Sequence, residues 1–342
     1  MKNFSLNKLN DKSYEELSKK NDFNKIGPFG EISVLNSIQK SLIKTEKLKS
    51  DIVKFSITNS ANEVLALGLF FQIKINNISI ILSGGRFGYS QIRILSKKIN
   101  EMDILICFDE FCYHNMISLC SLSFDFNDKN NKYLDNSWKI RNINYLMADI
   151  SSSCDNGKLN FPSALKRTSL SRGIKLSNKN NISSILTTSE KFLEEWYLLC
   201  HLPRMKELNG KIWKFDTFKE LINSKYGGLC IAKNDSDTIL GGCFYVKNSY
   251  TIELFMMSTV RINQKMGVNY SLTEKLYSHA SESKIKWLNW QASNPPIGPL
   301  VDFKKKWNSH PINFNTFSKK FDKNTNIQEL RSKITDFFIF PE

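Results

Sequence analysis

The chain has 342 residues, a length that suggests about two domains, and 41% of them are hydrophobic, ample for packed cores. Lysine and arginine number 48 against 33 aspartates and glutamates, a formal charge of +15. Seven scattered cysteines without a Cys-x-x-Cys exclude a paired-knuckle metal site, and the longest apolar run, Val64–Ile73, is far short of the roughly 20 residues needed to span a bilayer.

The charge favours a polyanionic partner: nucleic acid, a phosphorylated substrate or an anionic membrane surface touched peripherally. A coding bias towards Lys, Asn and Ile explains the same excess, and both readings stand. The start, Met1-Lys2-Asn3-Phe4, lacks the apolar run of a signal peptide. Unpaired thiols then suit a soluble cytoplasmic protein.

Residues 1–48 read as mainly helical, with Leu35, Ile38, Leu42 and Leu48 at near-helical spacing after a break at Pro28-Phe29-Gly30. The period then changes. Ile52–Ile57, Val64–Ile75 and Ile78–Leu82 read as strands, the last two joined by Asn76-Asn77, residues tolerant of positive φ. Ser83-Gly84-Gly85-Arg86 follows as a loop, and the apolar run Ile104–Phe108 reads as another strand. Asp125–Asn136 is polar and reads as a loop. Tyr145–Ile150 is apolar, Phe161–Ser171 carries Lys166-Arg167, and Arg172-Gly173-Ile174-Lys175 comes directly after. Ser189–His201 is helical, with Phe192, Leu193, Trp196, Leu199 and Cys200 on one side, and Pro203 stops it. Thr217–Ile222 is a second helix.

From Gly227 the pattern sharpens. Leu229–Ala232, Ile239–Val246 and Thr251–Ser258 are strands separated by turn residues, Asn234-Asp235-Ser236-Asp237 and Lys247-Asn248-Ser249. The loop Gln264-Lys265-Met266-Gly267-Val268-Asn269 leads to Ser271-Leu272-Thr273-Glu274, which has the spacing of a capping box, and Leu272, Leu276 and Ala280 share a helical face. Trp287–Trp290 is a strand, Asn294–Pro299 a loop and Val301–Trp307 a short lysine-rich helix. Ile327–Phe340 reads as a closing helix with an apolar tip.

This order of elements resembles the C-terminal half of a GNAT acyltransferase and, more closely, the Fem-type peptidyltransferases. In the GNAT pattern a (Gln/Arg)-x-x-Gly-x-(Gly/Ala) loop offers backbone N–H groups at a helix start to a pyrophosphate. Gln264 and Gly267 fit it, while Asn269 stands where a small residue is usual. Phe303-Lys304 matches the Phe-Lys pair that Fem relatives carry in the helix after the next strand. The likeness covers about residues 140–320 by order and spacing. Three antiparallel strands and a glycine-containing loop also occur in residues 52–86, which suits two GNAT-like folds in tandem. The resemblance therefore implies an α/β (α+β) fold, each domain a mixed, mostly antiparallel sheet flanked by helices. Residues 1–150 would be a degenerate first domain, 151–180 a basic connection and 181–342 the catalytic domain. It implies N-acyl transfer, with acyl-CoA or aminoacyl-tRNA as donor. The acceptor would be an amine on a nucleotide-linked or otherwise phosphorylated cell-envelope or amino-sugar precursor. A non-catalytic polyanion-binding protein on the same fold is the alternative.

Candidate site residues follow, each with a plainer reading beside it. Gln264, Gly267, Val268 and Asn269 form the expected donor loop. Glu253, the one carboxylate between Asp237 and Glu274, is either a general base with a raised pKa or an outward-facing strand residue. The oxyanion would take a backbone N–H near Met256 or Met257, which leaves no side-chain signature. Lys304 is the lysine that the Fem resemblance places by the anionic part of the substrates; the other reading makes Lys304-Lys305-Lys306 a solvated face. Phe303 is core or contact. Asn289, Gln291 and Ser293 alternate along one strand face, for sugar or amide recognition or for solvent. Tyr270 stacks on substrate or staples the helix to the core. Arg167 and its basic segment contact tRNA or a nucleotide diphosphate, or lie on a surface helix. Arg204 and His201 end a helix, and nothing in the sequence sets His201 beside a nucleophile. The histidines at 114, 201, 279 and 310 have no metal-ligand spacing, so no metal is expected.

Overall fold

The structure, a computed structural model, describes residues 4–21, 27–83, 91–124, 137–160, 169–210, 212–293 and 297–333. Contacts divide the chain into two compact units, residues 1–143 with 313–342 and residues 144–312. The second unit is one uninterrupted stretch; the first is made of two.

In chain order the elements begin with β1 (Phe4–Leu9), α1 (Asp11–Lys20), a 3-10 turn (Pro28–Gly30), α2 (Ile32–Glu46), β2 (Lys49–Asn59) and β3 (Val64–Ile75). Next come β4 (Ile78–Leu82), β5 (Ile92–Ile94), α3 (Glu101–His114), β6 (Ile117–Ser123) and β7 (Lys139–Asp149). A small hairpin, β8 (Cys154–Asp155) and β9 (Lys158–Leu159), precedes α4 (Ser169–Lys179) and β10 (Ser183–Thr187). Then α5 (Glu190–Trp196) runs through a π-helical turn (Tyr197–His201) into α6 (Leu202–Glu207), followed by α7 (Phe215–Asn223). The remainder is β11 (Gly227–Lys233), β12 (Ile239–Lys247), β13 (Thr251–Thr259), α8 (Arg261–Gln264) and α9 (Val268–Glu282). It closes with β14 (Trp287–Ala292), α10 (Pro299–Lys305), β15 (Ser309–Lys320) and α11 (Ile327–Lys333).

In the first unit β1 to β4 are antiparallel neighbours. Asn76 takes φ 53° at the tight β3–β4 turn, the conformation that asparagine accepts more readily than most residues. β4 runs parallel to β6, and residues 316–320 of β15 pair antiparallel with β6 on its other side. The Ser83 N–H donates to the Ser121 carbonyl at 2.7 Å and the Ser83 hydroxyl accepts from the Ser123 N–H at 2.8 Å, so the parallel pair stays closed to its end. Phe55, Phe70 and Phe108 meet with ring centroids 5.2–5.7 Å apart in its core. Two readings change here. Phe4–Leu9 is a strand, not part of a helical start. Ile104–Phe108 is helical: Asn100 and Asp103 form a reciprocal capping box, and the helix buries Ile104, Leu105 and Phe108 while Ile106 stays exposed.

In the second unit β10 to β13 are antiparallel neighbours, β13 runs parallel to β14, and β14 pairs antiparallel with residues 145–149 of β7. Ile252, Leu254 and Leu288 pack with Leu272 and Leu276 of α9 in one core. A ring cluster of Trp196, Phe218, Phe244 and Phe255 fills the other side of the sheet. Each unit is thus a mixed, mostly antiparallel sheet with helices against it. Pro203 does not end a helix: the run from Glu190 to Glu207 is continuous, and the proline directly follows its π-helical turn, where the regular backbone ladder is already interrupted. Nor does Ser271 start α9: the helix begins at Val268 after Gly267 at φ 89°, and the buried Ser271 shares a 2.7 Å hydrogen bond with Ser184. Among the described residues no helix is long and apolar enough to cross a membrane.

Candidate active site where two strands part

β13 and β14 pair over three rungs only, Thr251 with Trp287, Ile252 with Leu288 and Glu253 with Asn289. Two irregularities drive them apart. The β12–β13 register shifts between Phe244 and Tyr245, which leaves Phe255 as an extra residue in β13. The β14–β7 register shifts between Asn289 and Ala292. Beyond Glu253 the β14 side of β13 has no partner strand among the described residues, and Met256 and Met257 there are half-exposed. The first unit closes its parallel pair at the matching place, so the second unit carries the opening.

Glu253 and Asn289, the last rung, are both 0% exposed. Alternation did point Asn289 and Gln291 to one polar side, but solvent does not reach it. The Gln291 side-chain amide donates to Glu253 Oε2, and its own N–H donates to Asn289 Oδ1 at 2.8 Å. Burial pushes the Glu253 carboxyl well above the usual range, and the Gln291 and Asn289 amides pull it partly back. Glu253 Oε1, Gln291 Oε1 and Asn289 Nδ2 are buried and make no hydrogen bond of normal geometry among the described residues. Unmet buried polar atoms are expensive, and three of them meet beside the point where the strands part. Glu253 is therefore not the outward strand residue of the plainer reading.

Gln291 has φ 66°, in the left-handed region. Lys304 reaches this turn from α10. Its ammonium donates to the Trp290 carbonyl at 2.8 Å, the Gln291 carbonyl at 3.2 Å and the Ser293 hydroxyl at 2.9 Å. Burial lowers its pKa to about 8. This corrects the solvated-face reading for Lys304, while Lys305 remains exposed. Phe303 is partly buried against Trp290, Trp307 and Tyr270, so it belongs to the core edge. Tyr270 packs on Phe303 and lies so close to Gly173 of α4 that a Cβ there would sit 2.4 Å from its ring. The staple reading describes it.

The loop before α9 is held from within. Gln264 donates to the Thr259 carbonyl at 2.9 Å, and Val268 is fully buried. Packing alone requires glycine at 267: a Cβ there would lie 2.7 Å from the Ser177 nitrogen and 3.0 Å from the Gly173 carbonyl, both in α4. The free N–H groups of a first helical turn remain the loop's anion-binding asset, and Asn269 Oδ1 beside them is buried without a partner. Arg204 is in an ion pair with Glu207 at 2.8 Å. Arg167, like Pro295 and Pro296, lies outside the described residues.

Sequence reasoning missed one pairing. His201, 0% exposed, has Nδ1 3.1 Å from the Ser258 hydroxyl of β13, one residue past Met257. Burial lowers its pKa to about 4, so the ring is neutral near pH 7. The π-helical turn that ends on His201 swings it over the sheet among the rings of Trp196, Tyr197 and Phe218. Such turns often mark functional sites, and sequence carries no signal for them. Among the described residues no three His, Cys, Asp or Glu side chains group to hold a metal.

Known structures share this architecture. The chain is similar to FemX at 10% identity, covering 91% of this chain and 96% of that one with a TM-score of 0.64. It is similar to a tandem GNAT protein from the clavulanic acid biosynthesis pathway at 9% identity, covering 93% and 98%, TM-score 0.52. It also resembles the L-PGS from Bacillus licheniformis, at 12% identity, covering 88% and 96%, TM-score 0.52. These likenesses show the fold: two GNAT-like units in tandem. No family model matches the chain, and no curated protein matches it.

Proposed function

We propose that this protein is an N-acyltransferase that moves an acyl or aminoacyl group onto a primary amine where β13 and β14 part. The observation that carries the reading is Glu253: a buried carboxylate with an unpartnered oxygen at the last rung before the strands diverge. An amine must lose a proton as it attacks, and a carboxylate whose proton affinity burial has raised holds that proton better than an ordinary one. The amine nitrogen bonds to the acyl carbonyl carbon, and the electron pair moves to the oxygen. Backbone N–H groups of β13 near Met256 and Met257 stabilise that oxyanion. Glu253 takes the amine proton, the ester or thioester bond breaks, and the departing oxygen or sulfur leaves with its electron pair.

The donor is an aminoacyl-tRNA or an acyl-CoA, and the first turn of α9 meets its phosphate. The acceptor is an amine on a nucleotide-linked or phosphorylated cell-envelope or amino-sugar precursor, the class that the Fem resemblance implies. The net charge of +15 supports an anionic partner, with tRNA or a membrane surface among them. All seven cysteines are free and buried, which supports a cytoplasmic setting.

Turnover is measured with both donor classes for wild type and Glu253→Gln. The variant is expected to lose about two to four powers of ten in kcat, and full turnover in it overturns the assignment. The +15 charge also suits a polyanion-binding protein without catalysis; binding of tRNA with a steep salt dependence, and no donor consumed, would favour that reading.

A further inference from the structure

An ammonium has three N–H donors and no more. Lys304 directs one each to the Trp290 carbonyl, the Gln291 carbonyl and the Ser293 hydroxyl. None is left for a substrate phosphate or an oxyanion. All three acceptors lie where β14 leaves its ladder. There Gln291 stands at φ 66°, a strained region for a residue with a side chain, which persists only when its surroundings fix it. Three contacts do so: Asn289 Oδ1 accepts from the Gln291 N–H, the Lys304 ammonium donates to the Gln291 carbonyl, and Glu253 Oε2 accepts from the Gln291 side-chain amide.

We propose that Lys304 is a positioning residue for the transfer. It clamps the left-handed turn at Gln291, the turn delivers the Gln291 amide to Glu253, and that amide sets the orientation and proton affinity of the carboxylate. Lys304 touches neither substrate. This rests on the reading of Glu253 as proton acceptor. The side chains that act on Glu253 are the uncharged amides of Gln291 and Asn289, so a loosened turn removes a stabilising donor and raises the carboxyl's proton affinity.

The test needs no substrate. The side-chain carboxyl carbon of Glu253 is followed by 13C NMR through a pH titration of the whole protein, its signal assigned by loss in Glu253→Gln. Lys304→Arg keeps the charge, but a planar guanidinium cannot reproduce the three-point clamp. It is expected to raise the proton affinity of Glu253 at least threefold, and Lys304→Met at least tenfold. In a Gln291→Leu background, where the amide is already gone, Lys304→Arg should change it by less than twofold. Lys305→Met should leave it unmoved.

Three outcomes overturn the proposal. An unchanged Glu253 titration in Lys304→Arg, with a shift only in Lys304→Met, would mean that the charge acts directly. Equal shifts with and without the Gln291 amide would mean that the turn is not the route. An unchanged titration in both variants, with only a lower melting temperature, would make Lys304 a structural strut. Failure of the transfer reading shows elsewhere, as full turnover in Glu253→Gln, and is thus distinguishable.

Discussion

Glu253 and His201 are withdrawn from water in the second unit, and each ties stability to pH with its own sign. The folded-state pKa of Glu253 is raised, so the folded chain keeps a proton that the unfolded chain gives up. Its contribution is favourable at low pH and falls as pH rises above the ordinary carboxyl value of 4.5. Glu253→Gln removes that liability without changing shape. Its melting temperature should exceed that of wild type at pH 8 by more than at pH 5, while turnover collapses; a variant less stable at pH 8 would contradict the burial argument. His201 runs the other way. Its pKa falls from 6.5 unfolded to about 4 folded, so between those values the unfolded chain binds the extra proton. At about 1.4 kcal/mol per unit of pH, this group contributes about 3 kcal/mol above pH 6.5 that is lost as pH falls to 4. Denaturant titrations of wild type and His201→Phe should show the variant's stability falling less over that window.

Among the elements, the start of α9 shows best what a pattern in sequence does and does not say. Gln264-x-x-Gly267 does precede a helix, yet the glycine packs against α4, 90 to 94 residues back in the chain at Ser177 and Gly173. Gly267→Ala should therefore lower stability by about 1–3 kcal/mol, from positive φ and collision together. A melting temperature unchanged from wild type would return the glycine to its donor-loop role. The strands of the second unit were legible because β-rich apolar runs sat between turn residues. Ile104–Phe108 was not, since five apolar residues in a row fit a strand or a buried helix equally, and only the Asn100–Asp103 cap decides. Asn289 and Gln291 were legible as one polar side of a strand. Their burial was not, and neither was the left-handed turn, because glutamine has no preference for positive φ that sequence could reveal. Lys304 was legible only through the Fem resemblance; by composition alone it is one of three lysines in a row.

At the scale of the whole molecule, the second unit, residues 144–312, is an uninterrupted stretch, and the first is assembled from residues on both sides of it. A chain of residues 144–312 should melt cooperatively by itself. Residues 1–143 should not do so until a peptide of residues 313–342 is added, because β6 takes its outer neighbour from residues 316–320. Calorimetry of the fragments, alone and mixed, checks both; a sharp transition for residues 1–143 alone would show that the late strand is dispensable. That arrangement also sets a timetable for synthesis. The first 143 residues leave the ribosome with the strand Ile117–Ser123 still unmatched along one side, and its partner follows only after the whole of 144–312 has been made. At about 5–20 residues per second the wait is roughly 10 to 30 s. An open strand edge of this kind recruits other chains, so the amount of this protein a cell obtains should rise with chaperone supply during synthesis.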